Sequence, residues 1–273
     1  MGTWRIRYAG ALLLVLILAF AAWGEKVRLS AEVMRYEPGA QTFSVEGDVR
    51  ILRGDSVITA SRGWGKSDGS FFHLEGSVEC RMPDRKLHFS CESISYHPLG
   101  EEPRIEAFGK VEALLGENTV RASEILWRLK DIPHYTASGD VYGAWGERTF
   151  EAELTTRKGD RFWVKGMQRF EDAREGVRLG APVLEGRLEG EDVTEVIASG
   201  GVVMETLGSR GTPVRITGEK CIYSLARGTL VISGGAFAKQ GDRTVKAENL
   251  VFRLATRVIE AKGKPQLVFT VGD

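Results

Sequence analysis

Apolar and polar residues alternate along most of this chain with a period of two, and glycine interrupts the alternation at regular places. The clearest instance is Phe43-Ser44-Val45-Glu46-Gly47-Asp48-Val49. The same order, apolar-x-apolar-x-Gly-x-apolar, returns at residues 72–78, 105–111, 135–141, 196–202 and 230–236, and in shortened form at 162–166 and 259–263. The glycines stand at 47, 76, 109, 139, 166, 200, 234 and 263. A return about every thirty residues is the mark of stacked supersecondary units. Period-two alternation sets one face on a core and the other toward water, so these arms are predicted to be half-buried strands. Glycine inside a strand marks a bulge, a bend or a close backbone approach, here expected at the same level of every layer.

A second arm accompanies each glycine arm. It reads apolar-x-apolar-x-small, often followed by glutamate and a late aromatic residue. Residues 27–32 run on to Tyr36, 87–90 to Tyr96, 120–124 to Trp127, 214–219 to Tyr223 and 245–248 to Phe252. Weaker copies sit at 58–60, 150–152 and 177–181. The small residues fall at 31, 60, 90, 122, 152, 181, 218 and 247. The one long gap, 181 to 218, predicts an inserted loop around Gly186 to Asp192. Pro182 has no donor for a strand ladder and predicts a break there. Turn residues gather at 36–39, 66–69, 98–100 and 239–242. Gln168 to Glu175 is the one stretch with room for a helical turn or two. The expected fold is all-β: eight two-arm units of antiparallel strands. A halfway boundary near Gly143 to Gly146 gives one module over residues 25–145 and a second over 146–273.

The first 24 residues follow a different pattern. Arg5 and Arg7 precede an apolar run from Tyr8 to Ala22, and Ala19-Phe20-Ala21 is an A-x-A site. This is the layout of a secretory signal peptide. The run is short against the ~20 residues that span a bilayer. The competing interpretation is an uncleaved anchor, with Trp4 and Trp23 at the two interfaces and the arginines on the cytoplasmic side. Either one exports the rest of the chain.

Charge is balanced, 37 basic against 37 acidic residues, so no basic surplus points to nucleic acid. Cys80, Cys91 and Cys221 are an odd set and make no disulfide framework. With a tight hairpin at Pro83-Asp84, Cys80 is expected to face Leu87, and all three thiols are read as small buried apolar groups. Gly63-Trp64-Gly65-Lys66-Ser67 ends like a phosphate loop. It lacks the leading glycine, where Ala60 stands, and it lies between strands, so it is read as a turn. His73, His88, His97 and His134 have no metal-ligand spacing. His73 and His88 alternate with apolar neighbours and are placed on the outer face. Carboxylates such as Glu46 and Glu75 also take outward places, which suits a solvated face better than an acid/base pair. No catalytic residue, metal site or cofactor is expected, and the chain is not read as an enzyme.

What remains is the inward face. In the first half it comprises Phe43, Val45, Val49, Phe72, Leu74, Val78, Phe89, Val111, Tyr135 and Val141. In the second it comprises Phe150, Val202, Ile216, Leu230, Ile232 and Val245. Such a face either fills a core or lines an apolar groove for a lipid chain. The outermost arms, with Val27, Leu29 and Val33 at one end and Leu267, Phe269 and Val271 at the other, are the candidate free edges. Free edges invite strand addition. Lys262, Lys264 and Pro265 stand beside the second edge as guards.

The A-E-x-x-x-Y arm at Ala31 to Tyr36, the φ-x-φ-x-G-x-V arm at Phe43 to Ile51 and the arm at Ser56 to Arg62, on an exported chain, resemble the LptA/OstA-like family of lipopolysaccharide transport proteins. The resemblance extends over nearly the whole chain after the first 24 residues, in an apparently double-length form. It implies a twisted, elongated, open β-jelly roll whose interior holds lipid A acyl chains. It also implies a location in the periplasm of a Gram-negative cell, edge-to-edge joining with like domains of an inner-membrane anchor and an outer-membrane translocon, and a possible head-to-tail homo-oligomer. Within that resemblance, a chain retaining its N-terminal segment matches the anchored members. Two other functions stay open on the residues alone: a structural or adhesive β-solenoid with no ligand, and a β-helical polysaccharide enzyme. Stacked asparagine ladders would favour a parallel β-helix, yet only Asn118 and Asn249 are present.

Overall fold

The structure is a computed structural model and describes residues 28–83, 87–97, 102–115, 118–128, 134–189, 192–208 and 211–269. The N-terminal segment read as a signal peptide or anchor, the turn at 98–100, Val27 and Val271 lie outside the described residues. The chain divides into two compact units, 1–143 with 156–159, and 144–155 with 160–273.

The first unit carries β1 (Arg28–Ser30), β2 (Val33–Glu37), β3 (Thr42–Arg53), β4 (Ser56–Lys66), β5 (Phe72–Met82), β6 (Leu87–His97), β7 (Arg104–Leu115) and β8 (Asn118–Arg128). Next come β9 (His134–Trp145) and β10 (Arg148–Lys158), each with residues in both units. The second unit continues with β11 (Arg161–Lys165), β12 (Arg169–Asp172), β13 (Val177–Gly180), β14 (Val183–Glu189) and β15 (Asp192–Leu207). It ends with β16 (Pro213–Ser224), β17 (Thr229–Gln240), β18 (Arg243–Arg253), β19 (Val258–Lys262) and β20 (Gln266–Val268). Successive long strands pair antiparallel, as in β3–β4, β6–β7, β15–β16 and β17–β18. Parallel β-helix architecture is thereby excluded for these strands.

Each long strand doubles back at its middle. Phe89 and Tyr96 are seven residues apart on β6, roughly 23 Å along a straight strand. Tyr96 is in register with Ile105, and Ile105 with Trp127. Yet the rings of Phe89 and Trp127 meet edge-on at 5.6 Å. In the second unit Val214 lies beside Thr206, on the same end as Arg178 and Asp172. Tyr223 is nine residues further along β16, but its hydroxyl reaches Asp172 at 3.2 Å. The two halves of the strands therefore form two walls, face to face: a β-jelly roll of antiparallel strands.

The glycines make the fold-over. In β3, Gly47 (φ 76°) and Asp48 (φ 42°) sit between the pairs Glu46–Arg62 and Val49–Ala60, opposite Ser61 alone. This is a β-bulge, which bends the strand and raises its twist. The same register shift recurs at Gly76-Ser77, Gly109-Lys110, Gly200-Gly201 and Gly234-Gly235. A side chain from the preceding arm lies across the first glycine of each bulge. A Cβ added at Gly76 would stand 2.5 Å from Ser61 Cβ, and one at Gly234 would stand 2.6 Å from Glu219 Cβ. Positive φ and the covering side chain together admit only glycine.

Five sequence expectations are corrected. Residues 169–172 form strand β12 instead of a helical turn, because Phe170 is needed on the inward face between Phe150 and Leu179. Gly186–Glu189 ends strand β14 and is not a loop; glycine stands at 186 because the Phe162 ring occupies the space of its missing side chain. Gly63 to Lys66 belong to strand β4, not to a turn. Gly63 and Gly65 are buried there and leave room for Leu74 and Phe43. Cys80 faces Phe89, while Met82 faces Leu87. The small residue of the third unit is Cys91, opposite Val78, one place beyond Ser90, matching Ala60 opposite Val49. The break at Pro182 is present: β13 stops at Gly180 and β14 starts at Val183.

Candidate functional site

In the first unit Val45, Val49, Leu74, Val78, Phe89, Val111 and Val141 are buried between the walls. Phe43, Phe72 and Tyr135 are half-buried, with the Phe43 and Phe72 rings 5.1 Å apart. In the second unit Val202, Ile216, Leu230 and Ile232 are buried to 1% exposure or less, and Phe150 and Val245 pack on the same core half-buried. All sixteen residues therefore lie on the inward face. The thiols are free and buried too; burial pushes Cys80, Cys91 and Cys221 up to about 12, and the Tyr96 phenol likewise to about 12.

The inward face continues to both free edges. Met34 is in register with Val45 and Tyr36 with Phe43, so both point inward. Each is nonetheless 55% exposed, since no further strand among the described residues covers β2. Leu29, opposite Ile51, is half-buried, while Val33, opposite Glu46, lies on the outer side. At the other end Leu267 faces Val245 and is 60% exposed, and Phe269 just beyond is exposed as well. Lys262 is paired with Glu260 at 3.2 Å, and Lys264 reaches Glu248 at 4.0 Å.

The outer face is less solvated at His73 than its pattern implied. The imidazole lies 4.1 Å from the Trp64 ring, and Nδ1 is 2.7 Å from Ser95 Oγ. Glu75 bridges His73 and Arg62, so the outward carboxylates are engaged in surface ion pairs. Among the described residues no cluster of His, Cys, Asp and Glu is arranged to hold a metal ion.

Sequence reasoning missed one feature of the second unit. Asp172 is fully buried. Its Oδ2 accepts from Arg148 Nε at 2.8 Å and from the Tyr223 hydroxyl at 3.2 Å, and its Oδ1 accepts from the Glu175 amide at 3.0 Å. The signal was Phe170-Glu171-Asp172 itself: read as a strand, it puts a carboxylate on the inward side with Phe170. Close by, the Thr206 hydroxyl accepts from Arg257 Nη1 at 3.1 Å and donates to the Gly176 carbonyl at 2.9 Å. A cleft of about 850 Å³ opens here, bordered by Gly176, Thr206, Leu207 and Val214 and also by the charged Glu171, Arg178, Glu205, Arg215 and Lys239. None of the sixteen inward residues borders it.

No protein-family model matches the chain, and no curated protein matches it. Several solved structures are similar. One of them is LptH from Pseudomonas aeruginosa, described as the LptA-homologous periplasmic component of the conserved lipopolysaccharide transport device. The identity is 13%, the match covers 56% of this chain and 95% of that one, and the TM-score is 0.33.

Proposed function

We propose that this chain is a periplasmic lipid carrier that passes lipopolysaccharide between membranes by holding acyl chains between its two β walls. One observation carries the proposal: in each unit the apolar inner face runs on to that unit's free edge and remains uncovered there, at Met34 and Tyr36 in the first and at Leu267 in the second. A domain of the same kind added edge to edge would continue the greasy face from one molecule to the next. Exposing an acyl chain to water costs ~0.8 kcal/mol per CH₂, or roughly 10 kcal/mol for twelve carbons, so a lipid in transit needs such an unbroken face. The path consumes no energy itself and is driven from elsewhere. Its partners are lipid A acyl chains and like domains of the anchor and the translocon.

Stoichiometric binding of lipopolysaccharide or a fluorescent lipid to the purified protein tests this. Phe43→Asp and Met34→Asp, both at incompletely buried places, are expected to lower binding at least about tenfold while circular dichroism stays unchanged. Wild-type binding by both variants would overturn the path through the first unit. The packed interior of the second unit favours the other reading, a structural β body without ligand, and absence of any lipid binding would decide for it.

A further inference from the structure

The carrier reading sets a requirement that the second unit does not meet as it stands: its interior is filled, with Leu230, Ile232, Leu250 and Phe252 all at 0% exposure. An acyl chain enters such an interior only if the two walls part. What holds them at their rims is polar. Tyr223 is on one wall, in register with Val196 and Leu230. Asp172 is on the other, in register with Val177 and Arg148. The Tyr223–Asp172 hydrogen bond therefore ties wall to wall, and Arg148 and the Glu175 amide hold the carboxylate in place for it. A second tie runs parallel to it. Arg257 follows the end of β18, on the wall of Tyr223, and Thr206 pairs with Val214 on the opposite wall. The Arg257–Thr206–Gly176 relay closes that span.

We infer that these two ties are a gate: they keep the second unit's apolar interior shut, and their opening admits a ligand chain from the cleft beside them. Three observations converge. A purely structural core gains little from a buried carboxylate, since well-packed apolar residues of like volume often hold as well or better. The ties join only the rims of the walls, while the interior behind them is apolar. The cleft is bordered by Thr206 and Gly176, two members of the second tie, so a ligand lying in it touches the gate itself. Resting on the carrier reading, the entering group is an acyl chain.

Cys221 reports on the gate. It is fully buried, two residues from Tyr223 and on the same inward face, while Cys80 and Cys91 are buried in the first unit and serve as internal references. The full chain is labelled with a maleimide and each cysteine peptide is followed by mass spectrometry. Tyr223→Phe and Thr206→Val each remove one cross-wall hydroxyl and leave the apolar shape. The double variant is expected to label Cys221 about tenfold faster or more, with Cys80 and Cys91 unchanged. A fluorescent C12 fatty acid is expected to associate faster by a similar factor. Unchanged labelling of Cys221 overturns the gate. So does an equal rise at all three cysteines, which reports general loosening. A selective rise at Cys221 without fatty-acid binding by any form supports the gate and sinks the carrier reading.

Discussion

The two glycines of the β17 bulge are expected to respond oppositely to substitution. Gly234 has φ 80°, and a Cβ built there would lie 2.6 Å from Glu219 Cβ and 2.8 Å from Glu219 Cγ. Glu219 Cβ is fixed to β16 and cannot swing away, so relief requires the strands to shift. A left-handed conformation costs an L-residue ~1–2 kcal/mol. Overpacking a fixed neighbour adds ~1–3 kcal/mol. Gly234→Ala is therefore expected to destabilise the second unit by about 2–5 kcal/mol, which at ~4 °C per kcal/mol lowers its Tm by about 8–20 °C. Gly235 has φ 66° with no atom within 4 Å of a built Cβ. The equivalent place in other bulges holds Asp48, Ser77, Lys110 and Asp140, all with positive φ. Gly235→Asn keeps the left-handed conformation that asparagine tolerates and reduces unfolded-chain entropy, so it is expected to change stability by less than ~1 kcal/mol. Urea unfolding followed by circular dichroism measures both. Equal costs at 234 and 235 would refute the argument that the covering side chain, not φ alone, requires the first glycine.

Leu230 is fully buried and its truncation to alanine is expected to cost about 2–5 kcal/mol, read from the urea midpoint. The three buried thiols, each pushed up from 9.0 to about 12, bind protons in the folded state that the unfolded chain has released. Their contribution is complete below pH 9 and is lost as pH rises toward 12, so stability should fall across that window by roughly 4 kcal/mol for each thiol. Cys221→Ala should flatten the fall in a pH series of urea melts. At the edges, probes at residue 29 or 33 of one molecule are expected to crosslink to probes at 267 or 269 of another at high concentration. Leu267→Lys, a charge on the edge, is expected to abolish those crosslinks without lowering Tm.

The bends, the strands and the inward face were legible because each depends on local sequence. Gly47, Gly76, Gly109 and Gly234 announce themselves by position in an alternating arm, and the alternation decides which side chains face in. The errors came where a residue's meaning depends on another strand. Gly63, Gly65 and Gly186 looked like turn or loop residues, but each makes room for a large side chain, Leu74, Phe43 and Phe162 respectively. Ser90 fits the small place by spacing within its own arm, but the cross-strand partner Val78 assigns that place to Cys91. Residues 168–175 lost their strand character to the charges at 171 and 172, whose partners Arg178, Arg148 and Tyr223 lie elsewhere in the chain.

The same distinction governs what alternation can say about an interior. A period-two face is the same whether the opposite wall touches it or stands off from it, because the pattern records only which side chains point inward. Nor does it record the polar ties at the rims of the walls. In the second unit these join Asp172 to Tyr223 and Thr206 to Arg257, residues separated by 51 positions in both cases. On the proposed carrier function, the inward residues of the second unit are the surface for an acyl chain. On the proposed gate, its rim residues decide whether that surface is presented or sealed. An apolar replacement at Asp172 would leave the alternation and the bulges unchanged while removing the tie that makes closure conditional. The gate proposed for the second unit accordingly turns on four polar side chains that contribute nothing to the repeating pattern by which the fold is recognised.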